Sequence, residues 1–568
     1  MGISRVLTIA KIKAHSAGAY RQYLESRTAS SERGDYYLQD GNVVEAPGRW
    51  VNGELGSAAL GLDDGALTSE AFTAVMNGNH PLTGEPLRRA GADATRVVAL
   101  DLTYSVPKSV SVAWAFADDE LRGQLEAALE RSVDVAMQAA VGRVAMVRQR
   151  IDGKVRHVQA RELVTSSWRH TTSRAVEGRA PDPQLHVHPL VHAAIREDGH
   201  VVAVDSRSLL QHQRELGARF RSQLARELEQ LGFAVDRGTG RGERYFEIAG
   251  VERPVIDAFS ERHAQIVKRI SDAQTRRVQD LEKIITKAAR GAADAPTPTQ
   301  AAQALRELES LEYHGRLSPA QERAQALASR NPKGLVTRGD LEHEWWQTGQ
   351  QHGFDARSIA QLRAIAQRTP ERAELVARIG RRLTEFDATF TPTQARAAAI
   401  ETAAGLGLDG ELGDDIYDEL LAQGVIVELE RGRQTTTMHR AVEHETVTVA
   451  GQLAAADGDT PMPAATVEAA IEQIDSELRA VGAGIASEQT AAIRAACADR
   501  RLTFIEGQAG TGKSTALQAI GRVHQQAGRE IIVTSTGGLA ATRLAAELVG
   551  AGVRVDTMTT EALRRRIV

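Results

Sequence analysis

The stretch QLHVHPLVHAAI, residues 184–195, decides the fold of the N-terminal half of this chain. Apolar residues alternate along residues 185–195, and the turn-forming run Arg196-Glu197-Asp198-Gly199 follows them. A second β-prone run occupies residues 201–204. Alternation that ends at an Asp-Gly pair is typical of a β-hairpin. The pattern therefore predicts two antiparallel strands, and residues 163–170 predict a further strand that can pair beside the first.

Histidines occupy alternate positions of the first of these strands. His186 and His188 are separated by one residue, so both side chains point to the same face of the strand. If the strand at 163–170 pairs beside it, His170 joins that face. Three neutral imidazoles leave coordination positions of a metal ion open for other ligands, as a catalytic ion requires. His192 has the same parity and is a rival ligand, and the alternative is a sheet whose histidines bind no ion.

Three groups of residues carry a resemblance to a known family. They are HTTSR at 170–174 with DPQLHVH at 182–188, DLTYSVPKSVS at 101–111, and DYY at 35–37 with GRW at 48–50 and LGL at 60–62. In this order they resemble the motifs of conjugative relaxases of the TrwC/TraI type (MobF class), over most of the first 270 residues. The loop between His170 and His186 is longer here by residues 176–180, and a surface loop tolerates such growth.

The resemblance implies a metal site made of His170, His186 and His188, with Mg²⁺ or Mn²⁺ as the ion. It places Asp101 close by, where the carboxylate orients a histidine or assists proton transfer. Residues 97–104 are apolar and β-prone, and a carboxylate in such a strand is costly to bury without a partner. An imidazole would supply that partner. The alternative from the residues alone is an aspartate at the edge of a strand.

The resemblance also implies a tyrosine nucleophile near the N-terminus, because a phenol oxygen can attack a phosphodiester and keep the strand covalently bound. Tyr23 is the preferred candidate and Tyr20 the second. Tyr36 and Tyr37 resemble the second tyrosine pair of the family, which serves a further strand-transfer step. For each of the four, the alternative is a half-buried aromatic ring with a hydrogen-bonded hydroxyl.

The implied fold is α+β, with an antiparallel sheet flanked by helices. The implied activity is the nicking of one strand of plasmid DNA at its transfer origin through a phosphotyrosine intermediate. The implied partners are single-stranded and origin plasmid DNA, together with a coupling protein and accessory proteins of a conjugation apparatus.

The composition of the chain excludes several other classes of protein. At 568 residues with 42% hydrophobic residues, the chain is long enough for three or four packed domains. A net charge of −5 excludes a uniformly basic DNA-coating protein, so any DNA-binding surface must be local. Cys497 is the only cysteine, and neither a signal peptide nor a membrane span is visible, which together predict a cytoplasmic protein without membrane insertion.

The chain is predicted to divide into a relaxase domain (1–270), a helical linker region (271–390), a small winged-helix-like module (391–460) and the start of a RecA-like lobe (461–568). The helix predicted at 209–231 carries four arginines, which either line a groove for single-stranded DNA or form a solvated helix face. They are Arg214, Arg219, Arg221 and Arg226.

The last segment contains GQAGTGKST at 507–515, which matches the phosphate-binding loop pattern between an apolar run at 502–505, predicted as a strand, and a predicted helix. In such a loop the backbone amides cradle phosphates, Lys513 neutralises them and Ser514 reaches Mg²⁺, which predicts ATP with Mg²⁺ as a ligand. Gln489 resembles the adenine-reading glutamine of superfamily 1 helicases. The full set of predicted nucleotide-binding residues is Gln489, Gly507, Gly510, Thr511, Gly512, Lys513, Ser514 and Thr515.

After this loop the sequence contains no apolar strand that ends in Asp-Glu, so no acid that would hold Mg²⁺ is visible. We therefore expect an incomplete, truncated helicase lobe that binds nucleotide and does not unwind DNA. Two alternatives compete with the relaxase hypothesis. One is a DNA-dependent ATPase or helicase whose N-terminal half only binds DNA, and the other is a non-catalytic DNA-binding remnant.

Overall fold

A computed structural model gives the fold. It describes residues 6–14, 38–39, 42–43, 48–51, 56–62, 67–87, 96–173, 176, 179–237, 246–289, 296–297, 299–300, 303–304, 307–308, 311, 317–318, 321–322, 324–325, 338–367, 370–385, 387–458, 461–480, 482–507, 511–535 and 538–567. These residues form two compact units. The first contains residues 1–268 and 328–439, and the second contains residues 269–327 and 440–568.

The strands and helices are numbered here in chain order. The strands are β1 (Leu7–Lys13), β2 (Leu38–Gln39), β3 (Asn42–Val43), β4 (Arg49–Trp50), β5 (Val97–Ser105), β6 (Met146–Ile151), β7 (Lys154–Gln159), β8 (Glu162–Thr172), β9 (Pro183–Ile195), β10 (Val201–Val202), β11 (Val235–Arg237), β12 (Phe246–Ile248), β13 (Ile426–Glu428), β14 (Gln434–Thr436), β15 (Ile532–Ser535) and β16 (Asp556–Thr559). The helices are α1 (Ser69–Asn77), α2 (Lys108–Phe116), α3 (Asp119–Ala139), α4 (Ser206–Gln211), α5 (Gln213–Gln230), α6 (Arg253–Ala258), α7 (Glu261–Ala289), α8 (Arg338–Gln351), α9 (Ala356–Arg363), α10 (Arg372–Leu383), α11 (Pro392–Ala404), α12 (Gly410–Ala422), α13 (Thr437–Ala455), α14 (Ala464–Arg479), α15 (Ser487–Ala496), α16 (Lys513–Gln526), α17 (Gly538–Gly550) and α18 (Thr560–Ile567).

A six-stranded sheet forms the centre of the first unit. Its strand order is β1-β5-β9-β8-β4, and β10 pairs with the far end of β9. Every one of these pairings is antiparallel, as the sequence predicts. The predicted hairpin is present too, since Arg196 donates its amide to the carbonyl of His200 and Gly199 takes a positive φ of 79° in the turn.

Both faces of the sheet are covered, which confirms the predicted α+β fold. On one face, Leu102, Tyr104 and Val187 belong to a large core that also contains residues of α2, α3 and α5. On the other face, Trp50 and Trp168 form a smaller core with residues of α1. Strand β9 is therefore buried along almost its whole length, and a side chain at any of its positions has a fixed environment.

A small module of three helices and a hairpin completes the first unit. Helices α10, α11 and α12 precede the antiparallel pair β13 and β14. Its own apolar core includes Leu375, Ile379, Ile416 and Tyr417. The assignment of this module as winged-helix-like, and the predicted domain boundaries, remain predictions.

Three arginines of α5, Arg214, Arg219 and Arg221, bind buried carboxylates of this module, so both sequence-based hypotheses are wrong for these three. The fourth, Arg226, is exposed and pairs with a partly exposed aspartate, as on a solvated helix face. Glu401 of α11, which is 3% exposed, accepts hydrogen bonds from Arg214 at 2.7 Å and from Arg221 at 3.3 Å. Arg219 donates to Asp414 of α12 at 2.6 Å. Buried carboxylates thus neutralise a set of charges that the sequence suggested for DNA or for solvent.

The second unit contains α14 to α17 and the parallel pair of β15 and β16. The strand predicted at 502–505 was wrong. Among the described residues, β15 pairs with β16, whereas residues 502–505 belong to no strand, and Phe504 is 70% exposed. An apolar run without a strand beside it does not become a β-strand. Within the described part of the chain, no helix has the length and apolarity needed to cross a membrane.

Candidate metal centre

The pairing of β8 with β9 brings the three predicted histidines together. His170 and His186 are direct Cα partners in this antiparallel register, and His188 pairs with Trp168 two residues further along the ladder. Because side chains alternate between faces along a strand, all three imidazoles lie on the same face of the sheet. The longer loop between the two strands leaves this register in place.

The imidazole rings form a compact triangle. Their centroids lie 5.3 Å apart for His170 and His186, 4.9 Å for His170 and His188, and 5.0 Å for His186 and His188. One ring nitrogen of each residue lies within 4.8 Å of those of the other two, and all three side chains are buried. Two nitrogens that bind one tetrahedral ion lie about 3.4 Å apart, so a small rotation of the rings would complete the site.

The hydrogen bonds of two of the rings also fit a metal centre. The Nδ1 nitrogen of His188 lies 3.0 Å from both carboxylate oxygens of Asp101, and Nδ1 of His186 lies 2.8 Å from the carbonyl oxygen of Gln184. These acceptors hold the proton on Nδ1, so the lone pair remains on Nε2. A carboxylate or a carbonyl behind each imidazole is the usual support of a metal-binding histidine.

The carboxylate of Asp101 has the imidazole partner that the sequence predicts, which is His188. It lies within β5, next to β9, and is 4% exposed. The alternative of an aspartate at a strand edge is wrong for this residue. The hydroxyl of Thr103, the next residue on the same face of β5, lies 3.1 Å from both Oδ1 of Asp101 and Nδ1 of His188.

His192, the rival ligand, lies outside this group. Its Nε2 nitrogen is 2.6 Å from the hydroxyl of Ser166, and its ring packs against Phe72 and Trp50. It is separated from His188 by about 13 Å of extended strand. The register of β8 against β9 also shifts beside it. The spacing of His192 satisfies the period of two, but its position along the strand places it in the apolar core.

The end of the β8–β9 loop is held by residues that the sequence did not identify. Trp345 of α8 donates its indole N–H to the carbonyl of Pro181 at 2.9 Å, and Lys108 donates to the carbonyl of Pro183 at 2.8 Å. Burial raises the pKa of Asp182 to about 6, and burial lowers the pKa of Lys108 to about 8. No local signal could have found these contacts, since Trp345 and Pro181 are 164 residues apart.

The predicted tyrosine nucleophiles lie outside the described residues. They are Tyr20, Tyr23, Tyr36 and Tyr37. The choice among them remains a prediction from the sequence.

A second feature that the sequence reasoning missed is a basic ribbon, defined here as β6 and β7 with the turn between them. Its exposed basic side chains are Arg148, Arg150, Lys154 and Arg156, against one acid, Asp152, in the turn. A signal was present, because basic residues alternate on both sides of an Asp-Gly turn. The major groove of DNA can admit a two-stranded ribbon of this kind.

The last residues of the phosphate-loop motif, 513–515, form the first turn of α16. Gly512 has a positive φ of 74° and precedes Lys513, the first residue of the helix. Lys513 donates to the carbonyl of Gly507 at 2.6 Å, and the amide nitrogen of Gln489 lies 3.1 Å from the carbonyl oxygen of Thr511. The side chains of Lys513 and Gln489 therefore contact described residues on both sides of the loop. Gly510 lies outside the described residues, and Ser514 and Thr515 lie in the first turn of α16.

Comparison with known families identifies the first part of the chain. Residues 17–352 match the model of the TrwC relaxase family, which is more than half of the 568 residues. The chain belongs to the TrwC relaxase family. A second match, to an AAA domain, covers residues 484–566 and includes the phosphate loop. The predicted resemblance is therefore confirmed.

Individual proteins similar to this TrwC-family chain are also conjugation proteins. It is 27% identical over 271 residues to the multifunctional conjugation protein TraI of Escherichia coli, and 28% identical over 273 residues to TraI of strain K12. Each match covers 46% of this chain and 14% of the relative, so the chain corresponds to a small part of those proteins.

Among solved structures, this chain is similar to two complexes of the conjugative relaxase TrwC. One is a copper-bound complex with oriT DNA, at 28% identity and a TM-score of 0.46, over 62% of this chain and 99% of the other. The other contains a 27-mer DNA with the recognition hairpin and the cleavage site, at 27% identity and a TM-score of 0.45, with the same coverage.

Proposed function

We propose that this chain nicks one strand of plasmid DNA at a transfer origin by metal-dependent transesterification. The observation that carries this proposal is the convergence of His170, His186 and His188 beside the buried carboxylate of Asp101. The match to the TrwC family over residues 17–352 supports the same chemistry, as does the oriT DNA in the related TrwC complexes.

In the proposed reaction a tyrosine oxygen attacks the scissile phosphorus. The bond from phosphorus to the 3′ oxygen breaks, and the 3′-hydroxyl leaves with a proton. The 5′ phosphate stays on the protein as a phosphotyrosine. A divalent ion held by the three imidazoles would polarise the phosphate oxygen. Tyr23 is the preferred nucleophile and Tyr20 the second, while Tyr36 and Tyr37 would serve a later strand transfer that rejoins the ends.

The protein groups prepare this site before DNA arrives. Asp101 fixes the orientation of His188, and the carbonyl of Gln184 fixes that of His186. Burial of the rings limits their rotamers, so little side-chain entropy remains to be lost when an ion binds. We propose Mg²⁺ or Mn²⁺ as the ion, because phosphate and water oxygens, which suit both ions, would complete the site; the three imidazoles suit transition-metal ions and so favour Mn²⁺ of the two.

The basic ribbon supplies the DNA-binding surface in this proposal. The ribbon concentrates exposed positive charge in a chain whose net charge is −5, through Arg148, Arg150, Lys154 and Arg156. Their contacts with phosphates would release counterions and make binding depend on salt. The partners we propose are single-stranded and origin plasmid DNA, with a coupling protein and accessory proteins of a conjugation apparatus, in the cytoplasm.

The second unit would bind ATP with Mg²⁺ at its phosphate loop. Lys513, which donates to the carbonyl of Gly507, would neutralise a terminal phosphate, and Gln489 donates to the carbonyl of Thr511 in the same motif. Nucleotide binding to the wild type, and its loss in Lys513→Ala, is the test. The alternative function, an ATPase whose N-terminal half only binds DNA, is not favoured by the family match over residues 17–352.

The test of the proposed function is nicking of supercoiled origin DNA in the presence of Mn²⁺. The double variant His186→Ala/His188→Ala should produce no nicked circle. The matched control is His192→Gln, which changes a buried histidine of the same strand outside the cluster and should retain nicking. Equal nicking by the double variant and the wild type would show that the site is misassigned. Replacing Tyr23 and Tyr20 separately by Phe would identify the nucleophile, because only its loss removes the covalent adduct.

A further inference from the structure

The hydroxyl of Thr103 completes a triangle with the two groups behind the metal centre. Thr103 Oγ1 lies 3.1 Å from Oδ1 of Asp101 and 3.1 Å from Nδ1 of His188, while that Nδ1 lies 3.0 Å from both oxygens of Asp101. Strand alternation places Asp101 and Thr103 on the same face of β5, and the next strand, β9, carries His188. The three groups are therefore in mutual contact.

The protons of this triangle can be assigned. The carboxylate of Asp101 has no proton to give, so the hydroxyl of Thr103 donates to it, and Nδ1–H of His188 also donates to it. If His188 carried its proton on Nε2, a lone pair on Nδ1 would face both the carboxylate and the threonine oxygen. The hydroxyl and the carboxylate together therefore favour the tautomer that leaves Nε2 available to an ion.

We propose that Thr103 is a positioning residue of the metal centre, which sets the affinity for the ion by holding Asp101 and His188 in this arrangement. This inference rests on the proposed metal site. Thr103 does not contact the ion itself, so its effect passes through Asp101 and His188. A β-branched side chain has few χ1 rotamers in a strand, which makes threonine better suited than serine to keep the hydroxyl in one direction.

A purely structural role for Thr103 makes a different prediction. Valine has nearly the same shape and also favours strands, so Thr103→Val would leave both the fold and the metal affinity unchanged if packing were the whole role. If the hydroxyl matters, Thr103→Val removes one donor from a buried carboxylate and loosens its hold on His188. Thr103→Ser keeps the hydroxyl and should restore most of the affinity.

A matched control exists on the neighbouring strand. Thr165 of β8 is fully buried, and within the described part of the chain its hydroxyl has no hydrogen-bond partner. Thr165→Val makes the same chemical change at a position whose hydroxyl does not contact the metal centre. We expect it to leave metal affinity unchanged.

The experiment is titration of Mn²⁺ into the metal-free full chain by calorimetry, for the wild type and the variants. We expect Thr103→Val to weaken Mn²⁺ binding about tenfold, within the range of supporting residues around metal ligands. Thr103→Ser should stay within about threefold of the wild type, because its hydroxyl can make the same hydrogen bonds. Wild-type affinity in Thr103→Val, or equal loss in Val and Ser, would overturn the inference.

A further variant separates this inference from the metal site itself. His186→Ala should abolish Mn²⁺ binding. If His186→Ala binds Mn²⁺ as the wild type does, the proposed metal site is wrong. If His186→Ala fails to bind and Thr103→Val binds normally, the site stands and only the role of Thr103 is wrong.

Discussion

Both carboxylate oxygens of Asp101 lie 3.0 Å from Nδ1 of His188, and both side chains are buried in the sheet. This contact joins β5 to β9 behind the histidine cluster. A buried carboxylate at such a position stabilises the imidazole in one orientation and makes its Nε2 a stronger ligand.

The first prediction concerns this pair. Asp101→Asn keeps the size of the side chain but replaces the carboxylate by a neutral amide, so the imidazole loses its negative partner. We expect Mn²⁺ affinity to fall by about tenfold to a hundredfold, with nicking reduced accordingly. Calorimetry and a nicking assay measure the two effects. Unchanged Mn²⁺ affinity in Asp101→Asn would contradict the role of the carboxylate.

A second prediction concerns Glu401, the buried carboxylate between Arg214 and Arg221. Glu401→Gln leaves both guanidinium groups without their counter-charge, and breaking a buried ion pair from one side costs about 3–5 kcal/mol. All five tryptophans lie in the first unit, so tryptophan fluorescence in urea reports its unfolding selectively.

The control for this prediction is Glu419→Gln. Glu419 pairs with Arg372 at the surface of the same module, where both side chains are more than a third exposed. We expect a loss below about 1 kcal/mol there, as for other exposed pairs. Equal losses at the two positions would mean that the buried network does not hold the module to α5.

The third prediction concerns pH. Burial raises the pKa of Asp182 from 3.8 to about 6, so folding favours the protonated carboxyl. The protonated carboxyl of Asp182 makes its full contribution to the free energy of unfolding below pH 4. That contribution, up to about 3 kcal/mol, is lost as the pH rises through 6. Asp182→Asn removes this dependence. The free energy of unfolding of the variant should therefore increase relative to that of the wild type as the pH rises from 4.5 to 7. A difference in unfolding free energy between variant and wild type that does not change with pH would contradict this prediction.

The fourth prediction concerns the basic ribbon. Replacing Arg148 and Arg150 together by Gln should weaken binding to duplex DNA and reduce the slope of log affinity against log salt by about two. Arg357 and Arg381, which are exposed outside the ribbon, provide a control pair with the same change of charge. Fluorescence anisotropy at several salt concentrations measures both. If the two double variants lose affinity equally, the ribbon is not the DNA-binding surface.

The histidine cluster could be predicted because its signal is local. A period of two places His186 and His188 on one face whatever the rest of the fold does, and pairing of the adjacent strand adds His170. Parity alone could not exclude His192, because the side chains that enclose it come from Trp50 and Phe72, far away in the sequence.

The contacts of α5 and of the β8–β9 loop could not be predicted for the same physical reason. Arg221 and Glu401 are 180 residues apart, and the sequence around either residue contains no pattern that predicts contact with the other. An arginine-rich amphipathic helix has the same pattern whether it faces water, DNA or another module. The apolar run at 502–505 shows the opposite error. Its β-propensity predicted a strand, but no strand forms there because propensity alone does not supply a pairing partner.

The central claim is that the three imidazoles activate a DNA phosphate for attack by an N-terminal tyrosine. Its most direct test is mass spectrometry of the covalent adduct formed when the full chain, with Mn²⁺, cleaves an oligonucleotide that carries its origin sequence. We predict the adduct on a peptide that contains Tyr23 or Tyr20, and no adduct with His186→Ala/His188→Ala. An adduct that forms equally well in the histidine variant, or on a residue other than Tyr20, Tyr23, Tyr36 and Tyr37, would contradict the account.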